Sequence, residues 1–428
     1  MKGTALSELG RRTQAPPISW LMRLTLEHPR LLSLAAGFTD HESLPVREAR
    51  ELLLALLRSP KTGRAALQYG STPGDPGLRR LTASRLHALD TGAAPRTLPP
   101  VYSPDRLLIT HGSQQLLYMV TEALCDPGDI VLVEDPTYFV FLGIMQSHGL
   151  RGRGVRLAED GLDLEQLDRI LAGLKRSGEL RRVKMFYLVS YFQNPTGVTT
   201  RFEKKLGALR LLQRYERAAG HPIYLVEDAA YRELGFGEPM AVPKSVLAAP
   251  GFRERVIYVG TYSKPFATGA RVGFGLLPDE LFKVVLRLKG NHDFGTSNLL
   301  QQLVARALDS GTYDQHLAVL RTRYAFKAQT MTRALRHHFP PQVFWREPRG
   351  GLYVWAQLPP KSRSGIQSPL FKAVLARNVL YVPGELCYAD DPTRPRPNHE
   401  MRLSFGGAPL SDIRQGIARL GAVLRRRC

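Results

Sequence analysis

Cysteine is scarce in this chain: three among 428 residues, Cys125, Cys387 and Cys428, all far apart. That excludes a disulfide framework, and no CxxC pair or HExxH sequence is present to hold zinc. Long apolar runs are missing too, since none reaches the roughly 18–20 residues of a membrane-crossing helix. The opening stretch, MKGTALSELGRRTQAPPISW, has basic residues but none of the apolar segment that marks a secretory signal. These absences predict a cytoplasmic protein with no bound metal and no membrane partner. GxSxG and GxxxxGK[ST] are also lacking, so serine hydrolases and nucleotide triphosphatases are without their parts. Low-complexity sequence is absent, and 43% apolar with 23% charged residues is ordinary for a folded protein.

Acidic residues are the other shortage: 38 Asp and Glu against 59 Lys and Arg, a formal charge of +21. A polyanionic partner is one reading of such a surplus. The basic residues are dispersed, however: the densest run is only Arg425-Arg426-Arg427, and the others are pairs such as Arg181-Arg182. Arginine supplies 46 of the 59, a bias that is often a matter of codon composition. No specific nucleic-acid binding is expected.

At this length two or three domains are expected, with ample chain for a core. From about residue 105, short β-branched runs alternate with longer helical patterns. Residues 107–110, 130–134, 184–189, 223–227, 256–259 and 272–277 read as strands, and 113–124 as a helix. Strands this apolar, spaced by helices, predict an α/β fold with a mostly parallel sheet covered on both faces. Ligands in such sheets gather at the carboxyl ends of the strands. Beyond about residue 310 the texture changes: a long helix near 315–338, strands near 351–358 and 402–405, and helices near 369–377 and 411–425. The expected division is a large domain over 46–310 and a smaller α+β domain from 1–45 and 311–428.

Several segments just after the strands carry chemistry. In GTYSKPFATGARVGF (260–274), Lys264 stands at the mouth of an apolar strand, where desolvation favours a neutral, imine-forming amine. Thr261, Ser263 and Arg271 add hydroxyls and a fixed cation suited to a phosphate. A surface turn with a solvated lysine is the alternative. In LVSYFQNPTG (188–197), Pro195 keeps Asn194 out of the helical region and its amide free to donate to a phenolate-like oxygen, or else the motif is a plain turn. In VEDAAY (226–231), Asp228 lies just past a buried strand, with Tyr231 three residues on. A carboxylate there requires a cationic partner, unless it caps a following helix. In ITHGSQQ (109–115), the N–H groups of Ser113 and Gln114 would face an anion docked on a helix N-terminus, with capping by Ser113 the duller option. EDPTY (134–138) sets Tyr138 to stack on a planar ring or to sit in the core. The pair His337-His338 has no ligand partners nearby in the sequence and reads as solvated.

An amine for an aldehyde, a phosphate cradle, a donor for a phenolic oxygen and an acid for a ring nitrogen together specify pyridoxal 5′-phosphate. The chain resembles the class I/II aminotransferases of fold type I, most closely the branch with 2-aminoadipate and kynurenine aminotransferases. The resemblance runs from about Pro17 to Leu424, with several motifs in the family's order. It implies a large domain with a mostly parallel, seven-stranded sheet and a smaller α+β domain. It implies that Lys264 is the Schiff-base lysine that later shuttles a proton, and that Asp228 holds the pyridine nitrogen protonated. Asn194 and Tyr231 would bind the 3′-oxygen, Tyr138 would cover the ring, and Ser113, Gln114, Ser263 and Arg271 would cradle the phosphate beside Thr261. Tyr69, in LQYGSTPGDPGLR, matches a tyrosine that reaches the phosphate from the other subunit, which implies a homodimer with shared sites. Arg402, in MRLSFGG, matches the arginine that grips the substrate α-carboxylate, with Gly37 and Asn194 beside the substrate.

The implied activity is transfer of an amino group between an L-amino acid and a 2-oxo acid by a ping-pong route. Another reaction on the same cofactor, by a lyase, decarboxylase or racemase, is an alternative. A ligand-sensing regulator is a remoter one, because the stretch ahead of the fold is too short for a helix-turn-helix domain. The chain departs from the family at Phe38-Thr39 (usually Leu-Pro), at Ser190 and Thr268 (often Pro), at Pro265 after the lysine, and at His111 (usually a small residue). These changes leave the substrate open among aromatic, branched and dicarboxylic amino acids.

Overall fold

The computed structural model describes residues 5–237 and 242–427. Its larger sheet comprises β1 (Leu107–Thr110), β2 (Ile130–Asp135), β3 (Arg151–Ala158), β4 (Val183–Val189), β5 (Tyr224–Asp228), β6 (Val256–Thr261) and β7 (Gly273–Leu276). The spatial order is β1-β7-β6-β5-β4-β2-β3, and a two-residue strand, Gly161–Leu162, pairs with the outer edge of β3. Strands β6, β5, β4, β2 and β3 run parallel, while β7 is antiparallel to both neighbours. All residues of β1, β6 and β7 are buried. Helices cover both faces of such a sheet, so its strands are continuous apolar runs and not alternating ones.

Strand β3 is absent from the sequence-based reading. Its sequence, RGRGVRLA, carries two glycines and three arginines, and tertiary neighbours account for them. A Cβ on Gly152 would stand 2.8 Å from Ala389 Cβ, and one on Gly154 would collide with the Asp135 carboxylate. Buried Arg153 faces Asp391, 3.6 Å away.

A second sheet holds β8 (Phe344–Trp345), β9 (Tyr353–Gln357), β10 (Val382–Pro383) and β11 (Glu400–Ser404), all antiparallel in the order β8-β9-β11-β10. Helices Thr312–His338 and Leu410–Arg427 pack side by side next to it. The amino-terminal segment touches both parts. The Leu34 N–H donates to Leu380 O at 2.8 Å, and the Ser404 N–H to Leu34 O at 2.7 Å. Further back, Arg12 Nε donates to Ser147 O at 3.4 Å, on the helix Phe139–Ser147 that follows β2. No described helix is long and apolar enough to cross a membrane.

Parallel strands end together, so their exit loops share one rim. Because β7 runs the opposite way, its beginning reaches that same rim, which is how Arg271, two residues before β7, joins the loops after β1, β2, β4, β5 and β6.

Candidate active site

Lys264 lies three residues past β6. Its Nζ donates to the Gly37 carbonyl at 2.8 Å, and among the described residues no carboxylate pairs with it. Burial, with the charges of Arg271 and Arg402, lowers its pKa from 10.5 to about 8. Asp228 closes the adjacent strand β5. Its Oδ2 accepts from the Tyr187 hydroxyl at 2.8 Å and its Oδ1 from the Ala230 N–H at 3.1 Å. A turn follows it and not a helix, so it is no helix cap. Burial raises the carboxyl to about 6, and among the described residues no cation faces it. A fully buried carboxyl held by neutral donors alone is electrostatically incomplete.

Asn194 links two parts of the chain. Its Oδ1 accepts from Arg402 Nη1 at 2.7 Å, and its Nδ2 lies 3.4 Å from the Tyr231 hydroxyl. Arg402 sits on β11 between β9 and β10, and is 1% exposed. It is therefore no surface charge on an edge strand. Its Nη2 donates to Ala35 O at 2.6 Å, while Nε has no partner among the described residues. The rings of Tyr353 and Phe139 flank the guanidinium at 4.3 and 5.3 Å.

The helix Ser113–Leu124 has Gly112, not Ser113, at its N-cap, with φ +75°. A Cβ there would stand 2.6 Å from Arg271 Nη2, so a glycine lets the guanidinium lie over the helix start. The first N–H groups of a helix lack partners within it. Arg271 itself has φ +51°, and its Nη1 lies 3.4 Å from Ser263 Oγ. Strain of this kind persists only where the surroundings enforce it.

Ser113, Gln114, Tyr138, Thr261 and Ser263 join Lys264, Asp228, Asn194, Tyr231 and Arg271 around one cavity of about 100 Å³. Gly37 and Arg402 flank it through their bonds to Lys264 and Asn194. Tyr69 is elsewhere: it is 83% exposed, edge-on to Phe294 at 5.4 Å, beside an open depression of about 390 Å³. The sequence reading missed Tyr187, hidden in an apolar strand, and Tyr353, which reads as a core aromatic in GLYVW. Thr268, seen there only as a departure from the family, also lines the cavity.

The family model for aminotransferase class I and II matches residues 29–420. The chain belongs to that family. It is 34% identical to the 2-aminoadipate transaminase of Thermus thermophilus, across 97% of this chain and 95% of that protein. Its fold is similar to that of Pyrococcus horikoshii kynurenine aminotransferase in complex with PMP, with a TM-score of 0.86 and 29% identity over 99% and 97% of the two chains. It is likewise similar to the α-aminoadipate aminotransferase of Thermus thermophilus complexed with N-(5′-phosphopyridoxyl)-L-leucine, with a TM-score of 0.81 and 33% identity over 99% and 97%.

The protein is thus an aminotransferase of fold type I that uses pyridoxal 5′-phosphate. The residues of this aminotransferase fit that group. Among the described residues Asp228 lacks a cation, which a protonated ring nitrogen would supply, and the glycine cradle at 112 with Arg271 suits a phosphate.

Proposed function

We propose that this aminotransferase exchanges an amino group between an L-amino acid and a 2-oxo acid in two half-reactions at the Lys264–Asp228–Arg402 site. The observation that carries the reading is the meeting of three groups that sequence keeps far apart. They are an amine with a lowered pKa and, among the described residues, a buried carboxyl without a cation and a buried arginine with an open Nε.

When bound, pyridoxal 5′-phosphate supplies an aldehyde carbon and a ring that draws electrons from the substrate Cα. Lys264 would hold that carbon through its amine and, when free, would carry a proton to and from the substrate Cα, a task suited to its lowered pKa. Asp228 keeps the ring nitrogen protonated. Asn194 and Tyr231 would donate to the 3′-oxygen, and Tyr138 would cover the ring face. Ser113, Gln114, Ser263 and Arg271, with Thr261 beside them, take the phosphate at the helix N-terminus, where the helix dipole favours an anion. Arg402 grips the α-carboxylate with its planar fork, which aims the Cα–H bond, and Gly37 and Asn194 border the substrate. An amino acid and its 2-oxo acid share that carboxylate, so one set of groups serves both in ping-pong order.

Tyr69 is assigned to the phosphate of a partner subunit, which makes the enzyme a homodimer. Its exposure beside exposed Leu67 and Phe294 supports this. The division into 46–310 and 1–45 with 311–428, and a cytoplasmic location, complete the reading. Lys264→Ala is expected to abolish turnover and the yellow colour of the bound cofactor, and repeated turnovers by that variant would refute it. A screen with 2-oxoglutarate as acceptor, including 2-aminoadipate and kynurenine, identifies the amino donor.

A further inference from the structure

Tyr353 has no part in the roles above, yet it touches three of the groups that have one. It leads β9 of the smaller sheet and is 2% exposed. Its hydroxyl lies 3.1 Å from that of Tyr231, and the two rings meet edge to face at 5.7 Å and 81°. The Arg402 guanidinium stands 4.3 Å from its ring centre. A Cβ on Gly37 would come within 2.9 Å of its hydroxyl, and the Gly37 carbonyl is the acceptor for Lys264.

A phenylalanine would offer Arg402 the same ring, so the hydroxyl has a separate purpose. A buried hydroxyl requires a partner, and among the described residues that partner is Tyr231. The Tyr231 oxygen is approached from one side by Asn194 Nδ2 and from another by Tyr353. With both donating to that oxygen, the proton of Tyr231 is left for a third acceptor. Chained hydrogen bonds polarise one another, which makes Tyr231 the stronger donor.

We infer that Tyr353 is a positioning residue: its hydroxyl turns the Tyr231 proton into the cavity, and its ring holds the Arg402 fork in the plane that receives a carboxylate. The first half rests on the reading of Tyr231 as donor to the cofactor's 3′-oxygen. The second stands on Arg402 alone. One side chain of the smaller sheet thereby aligns cofactor and substrate contacts together.

The test uses holoenzyme with Tyr353→Phe, Tyr353→Leu, Tyr231→Phe and the Tyr231→Phe/Tyr353→Phe double variant, read by pH titration of cofactor absorbance and by KM. A donor at the 3′-oxygen favours its anion, so weakening that donor moves the titration to higher pH. Tyr138 and Arg402 also face Tyr231 and are unchanged in every variant. Tyr231→Phe is expected to shift the titration most, and Tyr353→Phe by roughly half a unit. The double variant should titrate like Tyr231→Phe, since the second change acts through the first residue. Tyr353→Phe should leave KM unchanged, whereas Tyr353→Leu raises it roughly fivefold or more for amino acid and oxo acid alike, as lost cation–π contact implies. A shift with Tyr231→Phe and none with Tyr353→Phe overturns the hydroxyl's role. An unchanged KM in Tyr353→Leu overturns the ring's. If Tyr231→Phe itself shifts nothing, the reading of Tyr231 fails, and the hydroxyl's role with it.

Discussion

Without its cofactor, Lys264 is a half-buried amine with one carbonyl acceptor, two guanidinium groups acting on it and, among the described residues, no carboxylate. A lysine of ordinary pKa is about 0.1% neutral at about pH 7.5, whereas one lowered to about 8 is roughly a quarter neutral. The reactive fraction is therefore on the order of two hundred times larger. Stopped-flow absorbance of apoenzyme mixed with cofactor reads this above the phosphate pKa of about 6, each rate being divided by that of a small free amine with the same cofactor, so that the ring's own titration cancels. The association rate is expected to climb roughly tenfold per pH unit below about 8 and then level off. Arg271→Gln removes one of the two repelling charges and should move the break to higher pH. That variant is best followed with pyridoxal, which has no phosphate for Arg271 to hold. The folded pKa lies below the unfolded one, so between about 8 and 10.5 the unfolded chain binds more protons. The apoenzyme thus gains stability as pH rises through that window. Lys264→Met apoenzyme should melt above wild type near neutrality, with the difference vanishing above the window. A rate that keeps rising tenfold per unit to about pH 10, as for an exposed lysine, would refute the reasoning.

Three more outcomes follow from the same geometry. Arg402→Lys keeps the charge but loses the Nη1 bond to Asn194 and the fork for a carboxylate, so steady-state kinetics should show KM for both substrates raised about 10-fold or more. Asp228 has a folded pKa raised from 3.8 to about 6, so it costs stability as pH rises through that interval. Asp228→Asn apoenzyme should accordingly melt higher than wild type above about pH 6, while turnover falls roughly 10²-fold or more. Mixing Lys264→Ala with Tyr69→Ala subunits, each nearly inactive alone, should restore activity through hybrid dimers with one intact site; no recovery after confirmed subunit exchange would remove Tyr69 from the partner's site.

Much of this site was legible because its signals are local. The ends of β1, β5 and β6 coincide with apolar runs that stop at Gly112, Asp228 and the GTYSK segment, and burial on both faces is what makes those runs continuous. Strand β3 was illegible because its glycines and arginines answer to Ala389, Asp135 and Asp391, distant in sequence. Tyr187 and Tyr353 were illegible for a related reason. An aromatic inside an apolar strand looks the same whether its hydroxyl meets a buried carboxyl or a core carbonyl.

The residue types and their order along the chain therefore determine the family and the cofactor and point to the lysine, acid and arginine proposed for the site, since each motif is a short stretch with its own backbone preference. Only the tertiary structure decides that Arg402 and Asn194, 208 residues apart, share a hydrogen bond. It also decides that Arg271 reaches the rim because β7 runs backwards, and that burial, Arg271 and Arg402 together lower the pKa of Lys264. Those are properties of distance and burial, which arise when separate segments are packed against one another and water is excluded between them.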